Sequence, residues 1–447
     1  MRWLALTPLS RTEKALVFGF FFVILPLLGA IVEKRSAFMV RRMGDLDCFL
    51  RAGWAVRHGA DLYAVTSDND WHYNYPPFYA ILMTPLADPP RGEETAGHVP
   101  YVWSVLICYL ISVFALLWSA DVLATAIEEH SSDNAFRSEP THCRRWWYLR
   151  LWPLLICCVP IGHTLMRGQV NLIVLALLCL ALAGWVRGQS FRAGWWLASA
   201  ICIKVIPAYL LVYPAWKRDL RALVGCGAGL LFGLVLLPLA VFGPEQTVTH
   251  YQTYGRVFLG PMFQVGDDDS RKEEIVGVNA TDSIGVKNML HNWMYPDRQT
   301  RPQDLHIGAK IAYLLLGFVM TLVVLWPSAD TPWRRLHQLA ALIVLMTIFS
   351  PVSHSHYLAF CVPLTMMLIA WIWEGHDTIT LPWWLAVLFA AFLGTQVAAQ
   401  LPGLEVLKDR CAAMFATLPL WALSVAQLWR DSPSPEVSAA RDLCQAA

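Results

Sequence analysis

Long apolar stretches punctuated by short polar ones dominate the chain. A helix crosses a hydrocarbon core with about 17–25 residues, and about ten stretches approach that length. They are Ala15–Val32, Tyr101–Ile127, Leu151–Met166, Val170–Val186, Leu220–Gly243, Ile311–Trp326, Leu339–Pro351, Tyr357–Trp373, Leu381–Gln400 and Cys411–Leu428. Ala15–Val32 has no clean small-x-small cleavage site before Glu33, so it reads as a retained signal anchor. The pattern predicts an all-α integral membrane protein of about ten spans.

One stretch breaks the rule. "AGWWLASAICIKVIPAYLLVYPAWKR" has Arg192 before it and Lys217, Arg218 and Arg221 after it, so both ends favour the cytoplasm. Lys204 and Pro207 interrupt its middle, where proline removes a helical hydrogen bond. A broken or re-entrant helix, surrounded by protein or water, resolves the count. "HYNYPPFYAILMTPL", from His72 to Leu86, is too short and proline-interrupted to span and reads as an interfacial helix.

Basic residues orient the chain. Arg2, Arg11 and Lys14, then Arg137, Arg144, Arg145 and Arg150, then Arg187 and Arg192, then Arg334 and Arg335 share one side if the N-terminus is cytoplasmic. Lys34, Arg35, Arg41 and Arg42 run against that rule. Both termini are then cytoplasmic, loops 33–100 and 244–306 lie outside, and the protein is expected as a multi-pass plasma (inner) membrane protein. Residues 1–430 read as a single polytopic domain. Residues 431–447, with "DSPSPE", read as a disordered tail.

Composition agrees. Only 15% of the 447 residues are charged, against about one quarter in soluble domains, and mean hydropathy is +0.45. The net charge of +1 offers no basic face for nucleic acid. Most of the eleven cysteines sit inside apolar runs without the paired spacing of a zinc site, so disulfides and structural zinc are not expected. There is no internal repeat and no dinucleotide fingerprint. No cofactor is required by the sequence, and a divalent metal remains open.

Candidate chemistry gathers on the outer side. Asp45 and Asp47, in "GDLDCFLRAGW", read as a general base with a second acid orienting it or helping to hold a metal. They also fit a solvated acidic turn offsetting Arg41 and Arg42. Arg51, four residues after Asp47, would share its helical face and pair with the acid or an anion. Tyr75 sits with Tyr73 and Tyr79 at headgroup depth. In "RGQVN", Arg167, Gln169 and Asn171 form a polar turn or face a cavity. Lys204 at a helix centre costs about 2.5–3.5 kcal/mol, which calls for water or an anionic partner such as a phosphate.

"SPVSHSHY" places His354 and His356, followed by Tyr357, in a tight turn. Such a pair can ligate a metal, relay a proton or bond a phosphate. "VNATDSIGVKNMLHNW" supplies Asn279, Asp282 and Ser283 and predicts a short helix capped by Thr281 or Asp282, with an N-terminus suited to an anion. "DDDSRKEE", from Asp267 to Glu274, reads as a solvated loop.

These motifs in this order resemble glycosyltransferase family 87 of the GT-C superfamily. The acid after the first span, "GADLY" at Gly59 and "YPP" at Tyr75 carry the resemblance, followed by "RGQVN", "KVIP" at Lys204, the segment from Asn279 to Leu290, and "SPVSHSHY". The family implies a GT-C-type helical bundle that transfers mannose or a related sugar from a polyprenyl phosphate to a lipid or glycan acceptor at the outer face. Asp45 best matches the family's acid, with Asp47 an additional one. His354 stands where the family often has tryptophan, and His356 takes the histidine place. The family's Asn-Gln-Ser-Leu element is present only as "NATDSI". Lys204, Arg51, Arg167 and His356 would offset the charge growing on the leaving phosphate.

Two other classes fit parts of the pattern. A lipid flippase or transporter would also use broken helices and an intramembrane lysine. A ligase of the O-antigen type shares a lipid-linked donor but would lean on arginine and histidine. Polar residues crowded on one face, without repeat symmetry, favour transfer over transport or scaffolding.

Overall fold

The computed structural model describes residues 7–38, 44–131, 143–263, 270, 271, 274, 275, 277, 283–327, 331–374 and 379–430. Among these the regular structure is helical, with only isolated β-bridges. The helices run α1 Arg11–Ala37, α2 Leu46–His58, α3 Pro77–Leu86, α4 Tyr101–His130, α5 Arg144–Ile156, α6 Cys158–Arg167, α7 Asn171–Val186, α8 Ser190–Ile203 and α9 Ile206–Trp216. They continue as α10 Leu220–Met262, α11 Val286–Met294, α12 Ile307–Leu325, α13 Pro332–Ile348, α14 Ser355–Trp373, α15 Trp383–Ala398, α16 Glu405–Asp409 and α17 Ala412–Trp429. The tail 431–447 lies outside the described residues.

Each predicted apolar stretch is helical, yet length alone carries fewer spans than the expected ten. Six helices (α1, α4, α10, α12, α14 and α17) are long and apolar enough to cross a membrane, or seven if α5 and α6 count as one. Helices α7 and α15 have 16 residues and α13 has 17.

Proline explains where the chain departs from unbroken spans. The stretch Leu151–Met166 is two helices bent by 66°. A proline ring clashes with the carbonyl four residues back, and Pro160 stands four residues after Ile156, where α5 ends. The same spacing operates in the stretch read as broken. Pro207 follows by four residues Ile203, the end of α8, and Lys204 is extended at φ −146° and ψ 124°. In α10 the interruption is Gly243, at φ 76° and ψ 171°, ahead of Pro244.

Burial sorts the helices into centre and rim. Helix α7 packs between α4 and α8 with nearly every residue buried, and α13 and α14 are as enclosed. By contrast only 11% of the apolar window of α1 and 17% of that of α12 are buried, which leaves both to face lipid. Lipid tails are as apolar as leucine, so small residues that let backbones approach supply the packing. On α8 and α10 a Cβ at Gly194 would lie 1.9 Å from the Ala222 carbonyl, and one at Gly225 2.1 Å from the Phe191 carbonyl.

Helix α4 measures the bundle, its 30 residues spanning about 45 Å. At its start Ser104 Oγ donates to the Leu86 carbonyl of α3. At its far end Glu128 pairs with Arg150 and Glu129 with Arg187. Helix α3 therefore lies at one end of the bundle, and the basic residues of α5 and of the α7–α8 turn lie at the other.

Candidate active site

The site begins where two distant glycines allow two turns to touch. Gly44 precedes α2, and a Cβ there would stand 3.2 Å from the Arg167 carbonyl. Gly168 follows α6 at φ 64°, and a Cβ there would stand 2.5 Å from Leu46 Cβ. With both positions bare, the Asp45 N–H donates to the Arg167 carbonyl at 2.8 Å. Asp45 sits at the N-terminal boundary of α2, but its side chain does not cap that helix. Its carboxylate instead accepts from Arg167 Nε at 3.0 Å and from Gln169 Nε2 at 2.6 Å.

Around this pair lies a cavity of about 770 Å³, to which Asp45, Arg167, Gln169 and Lys204 all contribute. That volume is within the usual range for ligand pockets, about 300–1,000 Å³. Tyr75 donates to Gln169 Oε1 at 3.3 Å. Burial pushes its phenol well above the usual range, so it remains a hydrogen donor. The extended break at Lys204 turns its ammonium inward, where Nζ donates to Asn171 Oδ1 at 2.8 Å and lies 4.0 Å from the centre of the Tyr357 ring. An intramembrane cation is thus satisfied by an amide and an aromatic face.

The turn from Ser350 closes the cavity floor. Ser353 Oγ donates to the Thr347 carbonyl, and Ile284 N–H donates to the Ser353 carbonyl. The His354 and His356 rings lie nearly parallel with centres 5.5 Å apart. His356 is buried, and its Nε2 has no hydrogen-bond partner among the described residues. Both histidines and Tyr357 line the cavity.

Other predicted residues fall elsewhere. Asp47 is fully buried and does not line the cavity. Its Oδ2 accepts the Asp68 N–H at 2.7 Å, and its Oδ1 lies 3.6 Å from Arg51 Nε. Arg51 also reaches Asp68 at 3.3 Å and Asp88 at 3.4 Å, so it fastens the following loop onto α2. Asn171 lies behind Lys204, not in the cavity wall. Ser283 is bridged to the backbone of His354 and also stands outside it. Asn279, Thr281 and Asp282 are outside the described residues. Helix α11 starts only at Val286, after Gly285, without a side-chain cap.

The structure departs from the sequence pattern at two places. "DDDSRKEE" is not wholly solvated: Arg271 is buried against Tyr63 and Tyr73 carbonyls, and Glu274 accepts the His72 N–H at 2.7 Å. Trp71, His72, Asn74 and Glu274 line the cavity although none stood out in the sequence. Only the aromatic density of "WHYNY" signalled the first three, and it reads equally well as membrane anchoring. Among the described residues no three His, Cys, Asp or Glu side chains converge to hold a metal.

Residues 73–272 match glycosyltransferase family 87, a region that holds Tyr75, Arg167, Gln169 and Lys204. The chain is 23% identical over 407 residues to a polyprenol-phosphate-mannose-dependent alpha-(1-2)-phosphatidylinositol mannoside mannosyltransferase of Mycolicibacterium smegmatis (strain ATCC 700084 / mc(2)155), covering 85% of this chain and 82% of that one. It is 21% identical over 365 residues to the corresponding pentamannoside mannosyltransferase of Mycobacterium tuberculosis (strain CDC 1551 / Oshkosh), covering 76% and 73%. Among solved structures, ArnT from Cupriavidus metallidurans bound to undecaprenyl phosphate overlaps 94% of this chain and 77% of its own, at 14% identity and a TM-score of 0.41. The match over residues 73–272, the length shared with the mycobacterial enzymes and the polytopic helical fold make this chain similar to the membrane glycosyltransferases of family 87.

Proposed function

We propose that the chain transfers a hexose, mannose in the simplest case, from a polyprenyl phosphate to a hydroxyl of a lipid or glycan acceptor at the outer membrane face. One observation carries the reading: a carboxylate, Asp45, is held by Arg167 and Gln169 in the same cavity as Lys204 and His356. The mycobacterial relatives, named for polyprenol-phosphate-mannose dependence, support the donor class. Residues 1–430 would act as one domain. Arg144, Arg150 and Arg187 lie at the end of the bundle away from the cavity, and short basic loops favour the cytoplasm. That supports a cavity facing outward.

In this reading Asp45 is the base of an inverting displacement. The donor phosphate draws Arg167 and Lys204 to itself, which frees the Asp45 carboxylate for the acceptor. The acceptor oxygen bonds to the anomeric carbon as the bond to the phosphate oxygen breaks. The hydroxyl proton passes to Asp45, and the electron pair leaves with the phosphate, where the two cations meet it. Asp47, sequestered with Arg51, holds the wall in place and takes no proton.

Sugar transfer by purified protein from radiolabelled polyprenyl-phosphate mannose tests the reading, with Asp45→Asn and Asp47→Asn at equal folded amounts. Loss of a general base typically costs about 10²–10⁴-fold, and that loss is expected for Asp45→Asn. Asp47→Asn should transfer more slowly through a loosened wall, yet far faster than Asp45→Asn. Equal transfer by wild type and Asp45→Asn would remove the base. Movement of the lipid across vesicles without any sugar transfer would replace the enzyme with a flippase.

A further inference from the structure

The two donors on Asp45 choose the same oxygen. Arg167 Nε reaches Oδ2 at 3.0 Å, and Gln169 Nε2 reaches it at 2.6 Å. Among the described residues Oδ1 accepts no hydrogen bond, yet it is not closed off from solvent. One oxygen of the carboxylate is held, and the other is left to the cavity that Asp45 lines.

The same contacts fix which way the Gln169 amide points. A carboxylate that is to take a proton is ionised and only accepts, so the amide turns its NH2 to Asp45. Its carbonyl then lies 3.3 Å from the Tyr75 hydroxyl, which must donate. Charge on Asp45 thus sets the polarity of a chain that runs from Tyr75 through Gln169 to Asp45.

Local structure holds both donors in place. Gly168, at φ 64°, lets the Gln169 N–H turn back to the Thr164 carbonyl at 3.0 Å, a helix-ending bond that pins Gln169. The Tyr75 ring meets Phe49 edge-on with centres 5.1 Å apart, and Tyr63 donates to the Tyr75 carbonyl at 3.1 Å. Arg167 and Gln169 differ in charge. A guanidinium is drawn to the donor phosphate, whereas a neutral amide has no reason to follow. Once Arg167 turns to the phosphate, Gln169 alone keeps Oδ2 in place.

We propose that Gln169 is a positioning residue for the base: it holds Asp45 by Oδ2 so that Oδ1 takes the acceptor proton, and Tyr75 acts through it by fixing the amide. This rests on the transferase reading above and assigns the working oxygen of its base. The acceptor oxygen bonds to the anomeric carbon, its proton goes to Oδ1, and the electron pair leaves with polyprenyl phosphate.

The experiment measures sugar transfer by the full chain from radiolabelled polyprenyl-phosphate mannose to a membrane lipid and glycan extract, varying each in turn. Gln169→Met keeps the side-chain length but removes the donor. It should lower kcat about 10- to 100-fold with both apparent KM values within about twofold. Tyr75→Phe keeps the ring that Lys204 lies over and should lower kcat by about threefold. Added to Gln169→Met, it should cost less than about twofold more, because Tyr75 has nothing left to act through. Unchanged kcat in Gln169→Met, or a donor KM that rises with it, overturns the positioning role while Asp45→Asn remains slow. A full further loss in the double variant also overturns it, since Tyr75 would then act by another route. No transfer by wild type, or Asp45→Asn as fast as wild type, defeats the transferase reading and the positioning role together.

Discussion

At the scale of single residues, the structure separates groups that look alike in the sequence. Asp45 and Asp47 are two positions apart, yet one faces the cavity and the other is enclosed with Arg51. The reason is helical rotation: two residues turn a side chain by about 200° around α2, so neighbouring acids face opposite ways. Lys204 was legible as anomalous, because a charge in an apolar stretch demands a partner. Its partner Asn171 was named only as a separate candidate, since nothing local links positions 33 residues apart. Lys204→Met should lower sugar transfer by about 10²–10³-fold, the cost of removing a preorganised stabiliser of developing charge. It should leave the thermal unfolding midpoint unchanged or higher, because a buried ammonium is removed from the membrane. Retained transfer would show that the leaving phosphate does not depend on this cation.

At the scale of elements, spacing explains both the successes and the errors. Apolar run length located the helices, and Pro207 with Lys204 located the break after α8. The matching break between α5 and α6 is not legible because Pro153 and Pro160 both lie in a run whose length alone reads as one span, and only the second breaks it. The contact between α8 and α10 rests on glycine as a spacer. Gly225→Val would force the backbones apart and should destabilise the protein by about 1–3 kcal/mol, as overpacking does. Gly227, two residues on, has nothing within 4 Å of a built Cβ, so Gly227→Ala should be near neutral. Thermal unfolding in one detergent measures both, and equal effects would mean that the close approach is not what holds the pair.

At the scale of the molecule, the loops at the cavity end are tied down by distant ion pairs. Arg301 grips Asp409 through both carboxylate oxygens, at 2.6 and 2.7 Å, while Asn292 donates to the Asp409 carbonyl. This joins α11 and its following loop to α16. The Arg301 hydrogen bond holds the Asp409 carboxyl below its ordinary value. Its stabilisation is therefore complete above the unfolded aspartate value of about 3.9 and is lost as pH falls through the lower folded value. The wild-type unfolding midpoint should drop below about pH 4. Asp409→Asn should unfold earlier at neutral pH and lose part of that acid dependence. A parallel fall in both proteins would assign the acid sensitivity to other carboxylates.

The apolar pattern by itself determined the class of this protein, because no backbone can stay in hydrocarbon without satisfying its own hydrogen bonds and helices do so locally. It also determined where several of the chemically costly residues are, since a lysine or a pair of histidines beside apolar spans is conspicuous against that background. The tertiary structure alone decided which of them meet. Asp45, Arg167, Lys204 and His356 come from four separate segments, joined where Gly44 and Gly168 permit contact. It also added Trp71 and Glu274, whose side chains are ordinary for a loop until folding turns them into one cavity. Periodicity encodes only what a residue does within its own helix, whereas a site is made by the close approach of chain segments far apart in sequence.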